Sequence, residues 1–290
     1  MIPFEKQRSL ALVDALAPER LTRICDVGAS PINRPPYADL FALGACEVIG
    51  FEPAEGPFQD LEAKKTDRET YHKIAVGDGR THNLNICAHS GFTSTLEPND
   101  DVIKLMPGWN KATRVVAREP LQTQRLDDLA LPDFDFLKID VQGLESLIFA
   151  HARSCLGKAV AVMSEVAFVP LYLDQPLLDA QMAELRECRF AFHKQVFAKA
   201  VPFGSRHVKE LTLRPRLIRD QYVDGDAVFV RELLDLSTLT PEKLKHLAIL
   251  ADAVFGSATL ALAAITHLED TGHAAPSLAS SYIDRLNSIV

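Results

Sequence analysis

A doubly wound, mostly parallel α/β sheet of the Rossmann-like kind, with one late antiparallel strand and a C-terminal helical appendage, is the fold class this sequence predicts. Three observations carry the prediction. Apolar runs ending in an acid recur about one βαβ repeat apart: Ile24-Cys25-Asp26, with Gly28 close behind, and Val48-Ile49-Gly50-Phe51-Glu52, backed by Pro53. Strand-like runs alternate with helical patterns of a length that suits parallel crossovers. The closing run 205–231 instead reads as a hairpin-like pair, so a late strand should run antiparallel.

Residues 4–17 show helical periodicity, with Leu10, Val13 and Leu16 on one face and Pro18 as the stop. Strand one covers 23–27. A loop with three prolines, 29–36, leads into a helix expected to begin near Pro35-Pro36 and to end at Gly44. Strand two is 46–51, a helix follows around 55–65, and strand three lies near 70–76, before the turn Gly77-Asp78-Gly79. Short strands are expected within 82–97, while 98–118 reads as irregular, with Pro98, Pro107-Gly108 and the only tryptophan, Trp109. The pattern resumes with a strand from Phe134 to Asp140, a helix over 143–155 and a strand over 160–166. A helix over 176–188, a strand over 190–198 and a last strand over 226–231 complete it. Beyond Arg231 the chain is rich in Ala and Leu, with two helical patterns over 241–269 split at Gly256-Ser257. The expected organisation is a main domain over 1–231 and a helical appendage over 232–290, packed on that domain or on a second copy and dispensable for ligand binding.

The 290 residues are 47% hydrophobic and 24% charged, enough for one large α/β domain plus an appendage. A net charge of -8 argues against a general nucleic-acid binder, which needs a basic face. The basic run Arg206, His207, Lys209, Arg214, Arg216 and Arg219 reads as a solvated hairpin or as a contact for an anionic substrate. Five scattered cysteines, with no C-x-x-C pair, read as reduced thiols of a cytoplasmic protein. No His/Cys/carboxylate spacing suggests a metal site. The N-terminal stretch lacks a signal-peptide core, and no apolar run reaches transmembrane length, so no membrane partner is expected.

The strand-end acids point to a nucleoside ligand. Gly28 lets a ligand approach the backbone, and Glu52 can accept hydrogen bonds from both hydroxyls of a ribose. A pyrophosphate would want G-x-G-x-x-G and free N–H groups at a helix N-terminus; here Ser30 and Pro31 follow Gly28, and the loop is proline-rich. An acid for the ribose without a phosphate cradle suits S-adenosylmethionine. The alternatives are an NAD(P)-dependent oxidoreductase and a non-enzymatic module that keeps the fold.

Six short motifs stand in order: DVGA (26–29), GFEP (50–53), AVGD (75–78), FTSTL (92–96), RLDDL (125–129) and KIDVQGLE (138–145). Together they resemble the FkbM-type S-adenosylmethionine-dependent methyltransferases, whose versions read approximately DVGAN-x-G, FEP, A-x-GD, G-x-STL, TLDDL and KIDVEG-x-E. The resemblance covers residues 24–150, weakens after about 170 and does not reach the tail. It implies that Asp26 and Gly28 lie by the methionine part of the cofactor, with Ser30 also among the cofactor-binding positions, that Glu52 takes the ribose, and that Ile74 and Ala75 line the adenine. Asp140 would face the methyl group. Two departures stand out: Ser30 and Ile32 replace an asparagine and a glycine, and Gln142 replaces a glutamate. The activity implied is O-methylation of a hydroxyl on a sugar, glycan or small natural product, without nucleic acid as substrate.

Removing a hydroxyl proton needs a base, and Asp140, Glu165 and His89 are the candidates, each at or near the carboxyl edge of the sheet. The residues do not choose among them. Trp109, Phe168 and Tyr172 are candidate acceptor walls, able to stack on a sugar face or simply to pack. Asp127 and Asp128 read as turn or cap residues or as catalytic acids, and Glu145 as a first-turn helix acid or a site residue.

Overall fold

The computed structural model describes residues 1–106, 108–205 and 207–288. In chain order, the first half holds α1 (Lys6–Leu16), β1 (Thr22–Val27), α2 (Ala38–Ala42), β2 (Cys46–Phe51), α3 (Glu55–Lys64), β3 (Glu69–His72), β4 (Ala75–Val76), β5 (Thr81–Cys87), α4 (Asp100–Ile103) and β6 (Val115–Gln124). The second half holds β7 (Phe136–Ile139), α5 (Glu145–Ala150), α6 (Arg153–Leu156), β8 (Ala161–Ala167), α7 (Leu178–Glu187), β9 (Phe190–Val201), β10 (Gln221–Arg231), α8 (Pro241–Ala253), α9 (Ala258–Asp270) and α10 (Leu278–Asn287). Among the described residues, seven strands form the main sheet in the order β3-β2-β1-β7-β8-β10-β9. Every pairing from β3 to β8 is parallel, and β10 runs antiparallel to both β8 and β9. The fold is a Rossmann-like, mostly parallel sheet with one late antiparallel strand.

The structure differs from the sequence reading at five points. Strand three is two strands in two sheets: the Ile74 N–H donates to the His72 carbonyl (2.9 Å), a tight turn that sends β4 away to pair with β6. β6 itself begins inside the stretch read as irregular; it pairs with β5, and its side chains are mostly exposed, so no period-two apolar signal marks it. α2 begins at Ala38 rather than at the prolines, because Pro35 and Pro36 form the preceding turn and the Pro35 carbonyl accepts the Ala38 N–H. The helix expected over 143–155 is broken into α5 and α6, and Asp127 caps the second piece by accepting the N–H groups of Ser154 (2.9 Å) and Cys155 (2.8 Å). The antiparallel pair is β9 with β10, so 202–220 is the connection between them, and Arg206 of the basic run lies outside the described residues.

The sheet is buried on both faces. On one side Ile24, Val48, Phe136 and Val228 meet Leu12 and Leu16 of α1 together with Leu247, Leu250, Ile265 and Tyr282 of the tail. On the other, Val27, Phe51, Leu137 and Phe229 meet Ile148, Leu156 and Leu185 of α5, α6 and α7. Strands buried on both faces read as near-continuous apolar runs, as parallel ones do. Among the described residues no helix is long and apolar enough to cross a membrane.

Asp252 of α8 joins three helices. Its carboxylate accepts from Arg8 Nε (2.7 Å) and Ser9 Oγ (2.5 Å) of α1 and from Tyr282 OH (2.7 Å) of α10, with Arg8 and Asp252 side chains fully buried. We propose that 232–290 is a layer of the main fold and not a detachable unit, since its removal would uncover the apolar face of β1 and β7. Asp252→Ala would strand the Arg8 guanidinium in the core and is expected to cost about 3–5 kcal/mol. Urea unfolding measures this, and a loss too small to resolve would show that the carboxylate does not lock the tail.

Candidate active site

The carboxyl ends of β1 and β7 are held together by a lysine. Asp26 and Lys138 are register partners on the two strands. Lys138 Nζ lies 3.2 Å from Asp26 Oδ1 and donates to the Gly28 carbonyl (3.1 Å), while Tyr37 OH donates to Asp26 Oδ2 (2.6 Å). Burial pulls the Lys138 pKa down, but Asp26 and Asp140 more than offset it, and the ammonium ends with its pKa raised. Gly28 sits at φ +81°, and a Cβ there would lie 2.1 Å from the Asp140 carbonyl oxygen. The chain itself therefore requires this glycine, where the sequence reading ascribed it to ligand approach. The N–H groups of Gly28 and Ala29 both donate to the Phe51 carbonyl (3.0 Å each).

Glu52 follows β2 and is buried, with Oε1 accepting the Ala54 N–H (2.8 Å); burial raises its pKa. Ile74 is half-buried on the sheet core, and Ala75 is buried in β4. Ser30 lies half-buried in the proline loop, beside the exposed Ile32.

Beyond Asp140 a small cleft of about 70 Å³, open to solvent, is lined by Phe92, Gln142, Glu165, Tyr172, Lys199 and Asp224 among others. Gln142 Nε2 donates to Asp140 Oδ1 (3.0 Å) and to Glu165 Oε2 (2.7 Å), and Tyr172 OH donates to Gln142 Oε1 (3.1 Å). Across the cleft mouth Lys199 Nζ lies 3.3 Å from Asp224 Oδ2 and 4.5 Å from the Trp109 ring centroid, while Trp109 packs edge-on against Phe92. Of the sequence candidates, Glu165 and Tyr172 line the cleft, and Trp109 backs its rim. Phe168 packs on Tyr222 and is not among the lining residues. His89 also lies outside the lining, where its Nδ1 accepts the Gly91 N–H (3.2 Å) in a local turn. Lys209, Arg214, Arg216 and Arg219 are exposed on the β9–β10 connection and do not line the cleft. Among the described residues no group of three His, Cys, Asp or Glu is arranged to hold a metal ion.

Residues 26–192 match the family model of the methyltransferase FkbM domain. The chain belongs to this family. Three solved methyltransferases are similar in structure. An FkbM methyltransferase from Methylobacillus flagellatus is 14% identical (TM-score 0.41), with 72% of this chain and 43% of that one covered. An S-adenosylmethionine-dependent methyltransferase from Mesorhizobium loti is 14% identical (TM-score 0.37; 76% and 96% covered). A magnesium protoporphyrin IX methyltransferase from Synechocystis, with bound S-adenosylmethionine, is 12% identical (TM-score 0.36; 78% and 79% covered). The chain thus spans less than half the length of the first of these. Among curated proteins none matches it.

In this FkbM-family chain the cleft concentrates acids. Burial raises the pKa of Glu165 well above the usual carboxyl range, and the nearby Asp140, Glu145 and Asp224 raise it further. Burial also raises Asp224, and lifts Asp226 to about 6. Glu145, which sequence reasoning left between two roles, accepts the N–H groups of Val141 (2.9 Å) and Gly143 (3.0 Å) and so latches the loop after β7. Burial pushes it up to about 7 against those hydrogen bonds. Lys138, Gln142, Lys199 and Asp224 escaped sequence reasoning as site residues. The first two stand in the quoted KIDVQGLE motif, whereas nothing local marks the other two. Because Glu145 has a higher pKa folded than unfolded, its contribution to stability is full below about 4.5 and is lost as pH rises through about 7. Denaturant midpoints between about pH 5 and about pH 8 should therefore fall less for Glu145→Gln than for the wild type; an equal fall would refute the raised pKa.

Proposed function

We propose that this chain transfers a methyl group from S-adenosylmethionine to a hydroxyl of a sugar, glycan or other small natural product. One observation carries the reading: the carboxyl edge is divided in two, with Asp26 and Glu52 at the ends of β1 and β2, and a separate cleft holding Glu165 beyond Asp140 and Gln142. Ligands of doubly wound sheets sit at this edge.

The first half suits the cofactor. Asp26 Oδ1 is buried with the Lys138 ammonium, 3.2 Å away, as its ion-pair partner, and Glu52 has a carboxylate oxygen beyond the one bound to Ala54. Glu52 would take the ribose diol, Asp26 and the Gly28–Ser30 turn would border the methionine part, and Ile74 and Ala75 would border the adenine. Against the nicotinamide alternative, the Gly28 and Ala29 amides are committed to Phe51 and are not offered to a pyrophosphate. When bound, S-adenosylmethionine supplies an electrophilic methyl group on a sulfonium. Asp140 borders that side, its carbonyl packed on Gly28.

The second half suits an acceptor hydroxyl. Of the three candidate bases only Glu165 is among the cleft-lining residues, and a carboxylate whose pKa is raised is a stronger base in its ionised form than an ordinary one. Tyr172 and Phe92 give the cleft a partly aromatic wall, with Trp109 packed behind Phe92, and Gln175 gives it an amide for a hydroxyl group. Much of the rate would come from holding hydroxyl and methyl in a near-attack geometry.

Glu52→Ala is expected to abolish S-adenosylhomocysteine binding with the thermal unfolding profile retained; unaltered binding would show that the ribose lies elsewhere. Radiolabelled S-adenosylmethionine offered to saccharides, small hydroxylated metabolites, tRNA and protein extracts should label a hydroxyl compound. Glu165→Gln should then lower turnover by about 100-fold or more with cofactor affinity kept. Label found only in tRNA or protein would overturn the acceptor class, and full turnover by Glu165→Gln would remove it as the base.

A further inference from the structure

Gln142 has an unusual place in the cleft. Its φ is +56°, a region long side chains seldom occupy, and the conformation is held from outside. Ser94 Oγ donates to its carbonyl (2.6 Å), and the next N–H, of Gly143, is taken by Glu145. Its side chain then meets three groups, with the amide nitrogen between Glu165 and Asp140 and the amide oxygen on the Tyr172 phenol. The reverse amide orientation would set its oxygen against two carboxylates, so the network itself decides which end is which. Asp140 lies outside the cleft lining, whereas Gln142 and Glu165 belong to it.

Resting on the reading of Glu165 as the base, we propose that Gln142 is a positioning residue. Its two amide hydrogens hold Glu165 Oε2 and Asp140 Oδ1 in place and favour the ionised form of Glu165, which is the form able to take the acceptor proton. As the oxygen–methyl bond formed and the methyl–sulfur bond broke, leaving the neutral thioether S-adenosylhomocysteine, the proton would pass from the acceptor hydroxyl to a Glu165 oxygen and then to solvent. The groups in this electrostatic neighbourhood are Asp140 and Glu145 from the β7–α5 segment, Asp224 and Asp226 from β10, Lys138 from β7, Lys199 from β9 and the Tyr172 phenol. Burial of the site and three acids, Asp140, Glu145 and Asp224, oppose ionisation of Glu165, and the Gln142 amide is the hydrogen bond that opposes them. A donor hydrogen bond to a carboxylate favours its charged form.

The test compares pH–rate profiles of the wild type with Gln142→Met, which keeps the length and removes the donors, and Gln142→Asn, which tolerates the left-handed backbone but falls short of Glu165. Both should displace the alkaline rise of kcat upward by about one to two pH units with the acceptor KM little changed, so that activity lost at neutral pH returns at high pH. Tyr172→Phe, which frees the Gln142 amide oxygen and the Phe92 carbonyl but leaves both donors to the carboxylates, should shift it less and in the same direction. A uniform loss of kcat at every pH, or an unmoved profile, would overturn the proposal. Carbon-13 NMR of the Glu165 carboxyl, titrated in the protein alone, separates this from failure of the catalytic reading. A higher midpoint in Gln142→Asn supports the positioning role even where no acceptor is turned over, and an unchanged midpoint contradicts it.

Discussion

The contact between β1 and β7 is the constraint from which the site follows. Lys138 reaches across to Asp26 and to the Gly28 carbonyl, and Gly28 presses on the Asp140 carbonyl so closely that no Cβ fits between them. That closeness brings two strand-end acids, Asp26 and Asp140, to adjoining positions at the carboxyl edge. It also turns the chain after β1 so that two amides bond Phe51, which fixes the end of β2 and the acid that follows it. A lysine between two such strands is costly to bury and is retained through its carboxylate and carbonyl partners.

Past this clasp the molecule gathers carboxyl groups where burial disfavours their charge. Glu145 is tied to backbone amides and serves the loop; Glu165 is tied to Gln142 and faces the cleft. The same chemical group thus meets two sets of partners, and on the proposed reading these set it to two tasks, a pattern by which folds adjust acid–base chemistry. The tail contributes at a distance. By covering the opposite face of the sheet through Leu247, Leu250 and Ile265, and by tying α1 to α8 and α10 at Asp252, it supports the strands whose ends form the site.

Legibility in the sequence followed burial. β1, β2, β7 and β8 are buried on both faces and stood out as apolar runs ending near acids. β6 is mostly exposed and β4 has two residues, so neither carried a pattern. The strand-end acids Asp26, Glu52 and Asp140 were visible because topology places such positions together. Lys199 and Asp224 were not, because they meet only through the late β9–β10 pairing, which no local spacing announces. Gln142 was visible only as a departure from a motif. Its meaning lay in partners at 165 and 172, distant in the chain. His89 shows the reverse case, a residue near a motif whose side chain serves its own turn.

The proposed division of the carboxyl edge, with a nucleoside site that would lack a phosphate cradle, is tested most directly by isothermal titration calorimetry of the whole chain with S-adenosylmethionine, S-adenosylhomocysteine and NAD in turn. Saturable binding of the first two with none of NAD is the predicted result. Binding of NAD, or of none of the three, would contradict it.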